Sequence, residues 1–301
     1  MSETLGERIA AQIAAEVHPA IAEFAARLAQ RGDALAVLFY GSNLRTGELE
    51  GVLDFYVLLP GGQQEKIWPR VSYHEWKRED EILRAKVATM ALETFAEAAS
   101  GELVDTTIWA RFVQPSALVW QRDDASAAKV RKAIGQAAQT AARFAVALGP
   151  ERGTAADYWR ALFRATYQAE FRVEPPGRED SILAVNAAHF DGLLPLALEA
   201  QDISLERQGD VIVPLLSANE RKTILSHWAK RRRWGKALNL LRLAKASTTF
   251  EGAPHYAAWK IERHTGVKLE VTPFRERHPL LAAPGVLWEI LKLKRARGDH
   301  M

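Results

Sequence analysis

Gly41-Ser42 and Asp54 are the residues whose types and spacing best suit chemistry in this chain. The pair closes one apolar run, Ala34–Tyr40, and the carboxylate follows twelve residues after Ser42 inside a second, Val52–Leu59. A glycine at the end of a strand lets backbone N–H groups approach a phosphate, and a serine hydroxyl adds a donor. An aspartate in an otherwise apolar strand is costly unless it is paired or holds a metal. A phosphate cradle beside a metal-holding carboxylate is the arrangement that nucleotidyl transfer needs. The same residues also fit a plainer reading, a hairpin turn and one edge-strand Asp paired with a Lys or Arg. Transferases of this chemistry often carry Asp-x-Asp, and here Tyr56 stands at the second position. A further metal ligand must then come from elsewhere, with the Glu48/Glu50 loop one source, or the ion is held mostly by nucleotide phosphates and water, as Mg²⁺ often is.

The elements that must position these groups can be read from periodicity. Ala34–Tyr40 and Val52–Leu59 are short, rich in β-branched and aromatic residues, and bounded by Gly, Asn and Pro, which predicts neighbouring buried strands. Before them Ile9–Leu28 has helical spacing with a break at Pro19. After them a loop runs from Gly61-Gly62 through Trp68-Pro69, and Asp80–Ala99 reads as a helix. Thr106–Phe112 and Ala117–Trp120 fit either a strand or a short helix. Ala125–Ala147 is helical, and Thr154 with Asp157 has capping-box spacing before a helix to about Val173. Ser181–Ala200 reads as one helix, Gln208–Pro214 as an extended piece, then come basic helices and a final segment Val286–Arg297. The order predicts an α+β chain, with a small α/β unit first and mostly helix afterwards. The expected divisions are 1–120, 121–205 and 206–301.

Composition narrows the classes. With 301 residues, 48% hydrophobic and 26% charged, the chain has ample material for a core. It has no cysteine, which excludes disulfides, thiolate metal sites and cysteine nucleophiles. No apolar run reaches the roughly eighteen residues of a membrane span. The acidic N-terminal stretch lacks a signal core. The expectation is an intracellular protein, cytoplasmic or peripheral on the inner face of a membrane. The net charge of +3 hides an asymmetry, because Arg221–Phe250 holds nine Lys or Arg and no Asp or Glu. Trp228, Trp234, Leu238, Leu241 and Leu243 lie among those cations, which suits an anionic surface and equally a helix with a solvated basic face. Six residues apart on a helix, Trp228 and Trp234 lie about 120° apart, so one at most is an interfacial anchor and the other packs inward.

YGSNLRTGELEGVLDFYVLL resembles the Tyr-Gly-Ser … Asp-Phe signature of mitochondrial-type CDP-diacylglycerol synthases, the translocator-maintenance family of phosphatidate cytidylyltransferases. That family also has Asp-Phe where other transferases have Asp-x-Asp. WPRVSYHEW is similar to its His/Tyr/Ser segment after the strand, and Trp109–Pro115 to its Gly-Arg-Leu-x-x-Pro segment, with Ala110 and Phe112 as departures. Arg164–Leu183 resembles its Ser-Tyr-x-Gly-Asp-x-Arg helix, where Tyr167 and Arg172 match and Glu170 falls near the family's Asp. The resemblance covers roughly Ala34 to Ala200. It implies a nucleotidyltransferase-like α/β domain, expected at 1–120, followed by a helical domain, expected at 121–205; the basic, mostly helical region 206–301 lies outside the resemblance. It implies CTP and a lipid phosphate giving a CDP-lipid and pyrophosphate with Mg²⁺, in phospholipid biosynthesis.

On this reading Gly41 and Ser42 hold the triphosphate, Asn43 adds a phosphate contact or caps the next turn, and Asp54 binds Mg²⁺. The resemblance assigns catalytic roles also to Arg111, Glu170 and Arg172, and nucleotide contacts to Tyr73, His74 and Tyr167. Each has a plainer alternative as a surface ion pair, a solvated helix face or a loop residue. The expected partners are a nucleoside triphosphate and an anionic lipid or membrane surface, with no nucleic acid, since no recognisable motif for one is present. Competing functions are nucleotidyl transfer to a soluble acceptor such as an aminoglycoside or sugar phosphate, and a non-catalytic binding module derived from a transferase. A second carboxylate converging on Asp54 would separate the enzyme from the module.

Overall fold

The computed structural model describes residues 3–170, 177–249, 252–265 and 271–274. Two helices come first, α1 (Leu5–Ile13) and α2 (Pro19–Gly32). The Thr4/Glu7 capping box starts α1, and Pro19 sits in the first turn of α2, where a missing N–H costs nothing. Then follow β1 (Ala36–Tyr40), the short α3 (Ser42–Thr46), β2 (Leu53–Leu59), β3 (Arg70–Arg78) and β4 (Glu81–Ala91). They are followed by α4 (Leu92–Ser100), α5 (Thr107–Phe112) and β5 (Ser116–Gln121). These five strands form one sheet in the order β3-β4-β2-β1-β5, with β2 and β4 parallel and the other pairs antiparallel.

The rest is mostly helix: α6 (Asp124–Leu148), α7 (Ala155–Glu170), α8 (Arg178–Val185), α9 (Ala187–Phe190) and α10 (Leu193–Glu199). A small sheet joins β6 (Gly153–Thr154) to the hairpin β7 (Leu205–Gln208) and β8 (Val211–Pro214). Two basic helices follow, α11 (Ala218–Thr249) and α12 (Ala253–Thr265).

Strand alternation divides the large sheet cleanly. Val37, Phe39, Phe55, Val57, Ala85 and Val87 face α2 on the back. Leu38, Tyr56, Leu58, Ala88 and Met90 face the front, against α1 and α4–α6. The front cluster continues without interruption to Trp228 on α11, so the divisions expected at 120/121 and 205/206 run through one apolar core. Among the described residues no single helix is long and apolar enough to cross a membrane.

Three element expectations need correction. Asp80–Ala99 is not one helix: its first half is β4 and only its second is α4. The residues 81–91 include good helix formers, but Leu83, Ala85 and Val87 alternate, and pairing with β2 and β3 on both sides overrides propensity. Tyr73 and His74 lie on strand β3 rather than in a loop. Ser181–Ala200 breaks into three helices, with Asn186 ending α8 and Gly192, at φ +70°, preceding α10. Thr106–Phe112 resolves to helix and Ala117–Trp120 to strand. The Thr154/Asp157 capping box forms as expected, with N–H and hydroxyl of Thr154 donating to Asp157 Oδ2 at 2.8 Å. Arg172, the helix end near Val173 and Val286–Arg297 lie outside the described residues.

Candidate active site

One row of side chains crosses the front of the sheet. The register pairs Tyr73 with Lys86, Lys86 with Asp54, Asp54 with Tyr40, and Tyr40 with Ser116. Asp54 is therefore on a central strand, which removes the edge-strand reading. Lys86 is exposed and Asp54 and Tyr40 are half-buried, so the row opens to solvent in its middle. Ser116 is buried, and its hydroxyl has no hydrogen-bond partner among the described residues.

Gly41 closes β1 with φ +92° and ψ −163°, a conformation that is essentially glycine's alone. Its bare α-carbon also faces Asp54, and a Cβ built there would lie 3.1 Å from Asp54 Oδ2. The conformation thus favours glycine, and the tight contact with Asp54 adds to it. Ser42 opens α3, whose first turn has no side-chain cap. Asn43 is buried and structural: its amide donates to the carbonyls of Glu48 at 2.9 Å and Glu50 at 2.8 Å, fixing the loop into β2. That commitment takes both amide protons away from a phosphate, which corrects the contact expected of it.

Arg111 reaches the row from α5. Its Nη1 donates to the Tyr56 hydroxyl at 3.2 Å, and its guanidinium lies 5.2 Å from the Tyr40 ring centroid. Burial works against the Arg111 charge, but the phenols of Tyr40 and Tyr56 and the carboxylates of Glu170 and Asp54 outweigh it and raise its pKa. Burial raises the Asp54 pKa above the usual carboxylate range, opposed by Lys86 and Arg111. Glu170 arrives from the end of α7, buried, and accepts from Thr106 Oγ1 at 2.7 Å. Asp54, Arg111 and Glu170 are thus coupled in one electrostatic group, although they are far apart in sequence. At the Asp-x-Asp position, Tyr56 places a phenol on Arg111 instead of a second acid.

The other expected residues are placed differently. Tyr73 shares the row, but its hydroxyl donates to Glu75 at 2.8 Å and its ring packs 5.4 Å from Tyr256 of α12. Burial and the Glu75 bond raise its pKa. His74 points to the opposite face, as strand neighbours must. There it meets Ser72 at 2.8 Å and Arg31 at 3.4 Å, with the sheet between it and Asp54. Tyr167 is half-buried against the front core on α7.

Asp105 is the main residue that sequence reading missed. Its buried carboxylate accepts from Thr107 Oγ1 and from the Ile108 N–H at 3.2 Å, which starts α5, and from Arg242 Nη1 at 2.5 Å. Arg242 also donates to the Trp68 carbonyl at 2.8 Å. The helix that carries Arg111 is therefore held from α11, inside the acid-free stretch. Lys86 and Ser116 were missed too; once 81–91 is read as a strand, alternation puts Lys86 on the Asp54 face.

The donor set offers a metal little. Among the described residues there is no group of three His, Asp or Glu that could hold an ion. Asp54 fits Mg²⁺ as a single carboxylate toward an ion carried in by nucleotide phosphates.

The site defines an α+β protein with a glycine-ended strand set against a central-strand carboxylate, flanked by Lys86 and Arg111. No known protein-family profile matches the chain, and no curated protein does.

Proposed function

We propose that the chain is a Mg²⁺-dependent nucleotidyltransferase that joins CTP to a phosphatidate-like lipid phosphate, giving a CDP-lipid and pyrophosphate. The observation that carries this reading is the contact of bare Gly41 with Asp54 in a solvent-open row. The choice of CTP and of a lipid phosphate rests on the sequence resemblance. The acceptor's phosphate oxygen forms a bond to the nucleotide α-phosphorus while the bond to the bridging oxygen breaks and pyrophosphate leaves. An anionic nucleophile needs no general base, so positioning and charge stabilisation do most of the work. Lys86 and Arg111 supply cations beside Asp54, Tyr56 holds Arg111 in orientation, and the charge of Glu170 favours its cationic form. A bound Mg²⁺ would supply Lewis-acid polarisation of the phosphates.

A rival reading has its own observation. Asp54 and Lys86 are direct cross-strand neighbours, which suits a structural charge pair in a non-catalytic module. The deciding experiment is pyrophosphate release from each of the four ribonucleoside triphosphates with Mg²⁺ and phosphatidate vesicles. CTP-dependent release that Asp54→Asn abolishes supports the enzyme; no release with any nucleotide, or an unaffected variant, supports the module.

A further inference from the structure

A second cationic site lies away from the Asp54 row, in a cavity of about 920 Å³ between the end of α4, α6 and α11. Arg143 of α6 and Arg231 of α11 both line it. Both guanidiniums stand over Phe144, at 6.0 Å and 4.9 Å from its ring centroid. Arg231 is 5% exposed. Its Nη2 donates to the Gly101 carbonyl and, at 2.9 Å, to that of Leu103, and its Nη1 to the His227 carbonyl at 3.1 Å, while its Nε is buried with no partner among the described residues. Arg143 makes no hydrogen bond or ion pair among the described residues. Lys230 and His227 add further cationic or polar groups to the wall. Two acids share the cavity. Glu220 is committed to Ser217, whose N–H and hydroxyl donate to it at 2.8 Å and 2.6 Å, and Glu102 is exposed with no ion pair among the described residues.

Buried Arg231 and half-buried Arg143 stand side by side and repel, neither forms an ion pair among the described residues, and the charge of Asp105 only partly offsets the burial of Arg231. The consequence is visible at Arg231, whose pKa falls to about 10 through burial first and Arg143 second. Burial lowers that of Arg143 as well. An arrangement that is costly when empty and is relieved by one anion is a binding site for that anion. The uncommitted guanidinium fork of Arg143 matches the oxygens of a phosphate, which a point cation does less well, while Arg231, held by backbone carbonyls, adds charge.

We propose that the Arg143–Arg231 cavity binds a phosphate group, either free phosphate or the phosphate of a lipid headgroup, at a site separate from the Asp54 row. The inference is independent of the transferase reading, because none of these residues belongs to that row.

The test is thermal denaturation of the full chain with inorganic phosphate, against chloride at equal ionic strength, and in a second arm with short-chain soluble phosphatidate. A ligand that binds only the folded state raises the melting temperature. Loss of one charge-assisted hydrogen bond to the anion reduces affinity about tenfold or more. Arg143→Gln is therefore expected to lose most of the stabilisation by phosphate, while Gly41→Val, at the other site, keeps it. Without phosphate, Arg143→Gln melts at or above wild type, because a repulsion is gone. Response to phosphatidate alone assigns the site to a lipid headgroup, and response to both assigns it to the phosphate itself. Three outcomes overturn the proposal: no response of wild type in either arm, an undiminished response in Arg143→Gln, or a lower melting temperature of that variant without ligand.

Discussion

Arg111 is half-buried and Arg231 is buried, and they keep opposite company. Around Arg111 stand two phenols and two carboxylates, and the cation is held more firmly than in water. Around Arg231 stand backbone carbonyls, a second arginine and, with a smaller opposing effect, Asp105, and its proton is held less firmly, with a pKa of about 10. Burial penalises both charges; the neighbours decide the sign. The first region has its charges balanced and is organised before any ligand arrives. The second is unbalanced, and it invites an anion.

The largest expected effect comes from taking an acid away from the balanced region. Asp54→Asn is nearly isosteric and should lower nucleotide turnover at least about a hundredfold while the fold persists. Pyrophosphate release measured beside a thermal melt checks it, and activity within threefold of wild type would break the assignment. Next is the pair of arginines themselves. Arg111→Met takes the donor from the Tyr56 hydroxyl and the cation from beside Asp54 and Glu170, at a cost of about 3 kcal/mol. Arg231→Met loses its carbonyl bonds but also sheds an unbalanced charge, so urea titration should show the smaller loss there. Equal losses would mean that the surrounding charges do not matter.

Gly41→Val is expected to cost about 1–3 kcal/mol through its backbone conformation, and to block the approach beside Asp54. Calorimetry with a non-hydrolysable CTP analogue should show lost binding; unchanged affinity would leave Gly41 as a turn only. A smaller effect separates the two faces of α11. Trp228 is buried against Trp109 and Phe144, whereas Trp234 is 55% exposed, with Arg232 and Arg233 beside it. Arg233→Gln should weaken binding to anionic vesicles about fivefold, since one cation near such a surface is worth about 1 kcal/mol, and leave the melting temperature unchanged. Arg231→Gln should instead lower the melting temperature. Co-sedimentation at low and high salt reads the first quantity, and equal behaviour of the two variants would erase the distinction between the faces.

The smallest effect is a pH dependence. Burial lifts the Asp54 pKa above 3.8, so the folded chain keeps that proton in a window where the unfolded chain has released it. The group's contribution to stability is present below 3.8 and is lost as pH rises through the folded value. Asp54→Asn should therefore match wild type in acid and be slightly more stable near neutrality. A difference that does not change with pH would mean that Asp54 is not desolvated.

The local chain carried a good part of this structure. Alternation and bounding turn residues placed β1 and β2 within two residues, the Thr154/Asp157 capping box placed the start of α7, and the break read at Pro19 falls where α2 begins. Helical angles alone required that Trp228 and Trp234 not share a face. The Gly41–Asp54 link was legible because both residues break the pattern of the strands that hold them. Tertiary structure decided the rest. The 81–91 segment became a strand because partners on both sides satisfied its backbone, and only that placed Lys86 beside Asp54. The bonds of Arg111, Asp105, Glu170 and Arg242 join residues far apart in sequence, and no local spacing encodes them. The acid-free run on α11 shows the limit most plainly. Composition marked its cations as one basic face, yet Arg231 and Arg242 turn inward to carbonyls and to Asp105, while Arg232 and Arg233 stay in water. A count of charges gives their number and sign, but the direction each one faces depends on what the rest of the fold packs against it.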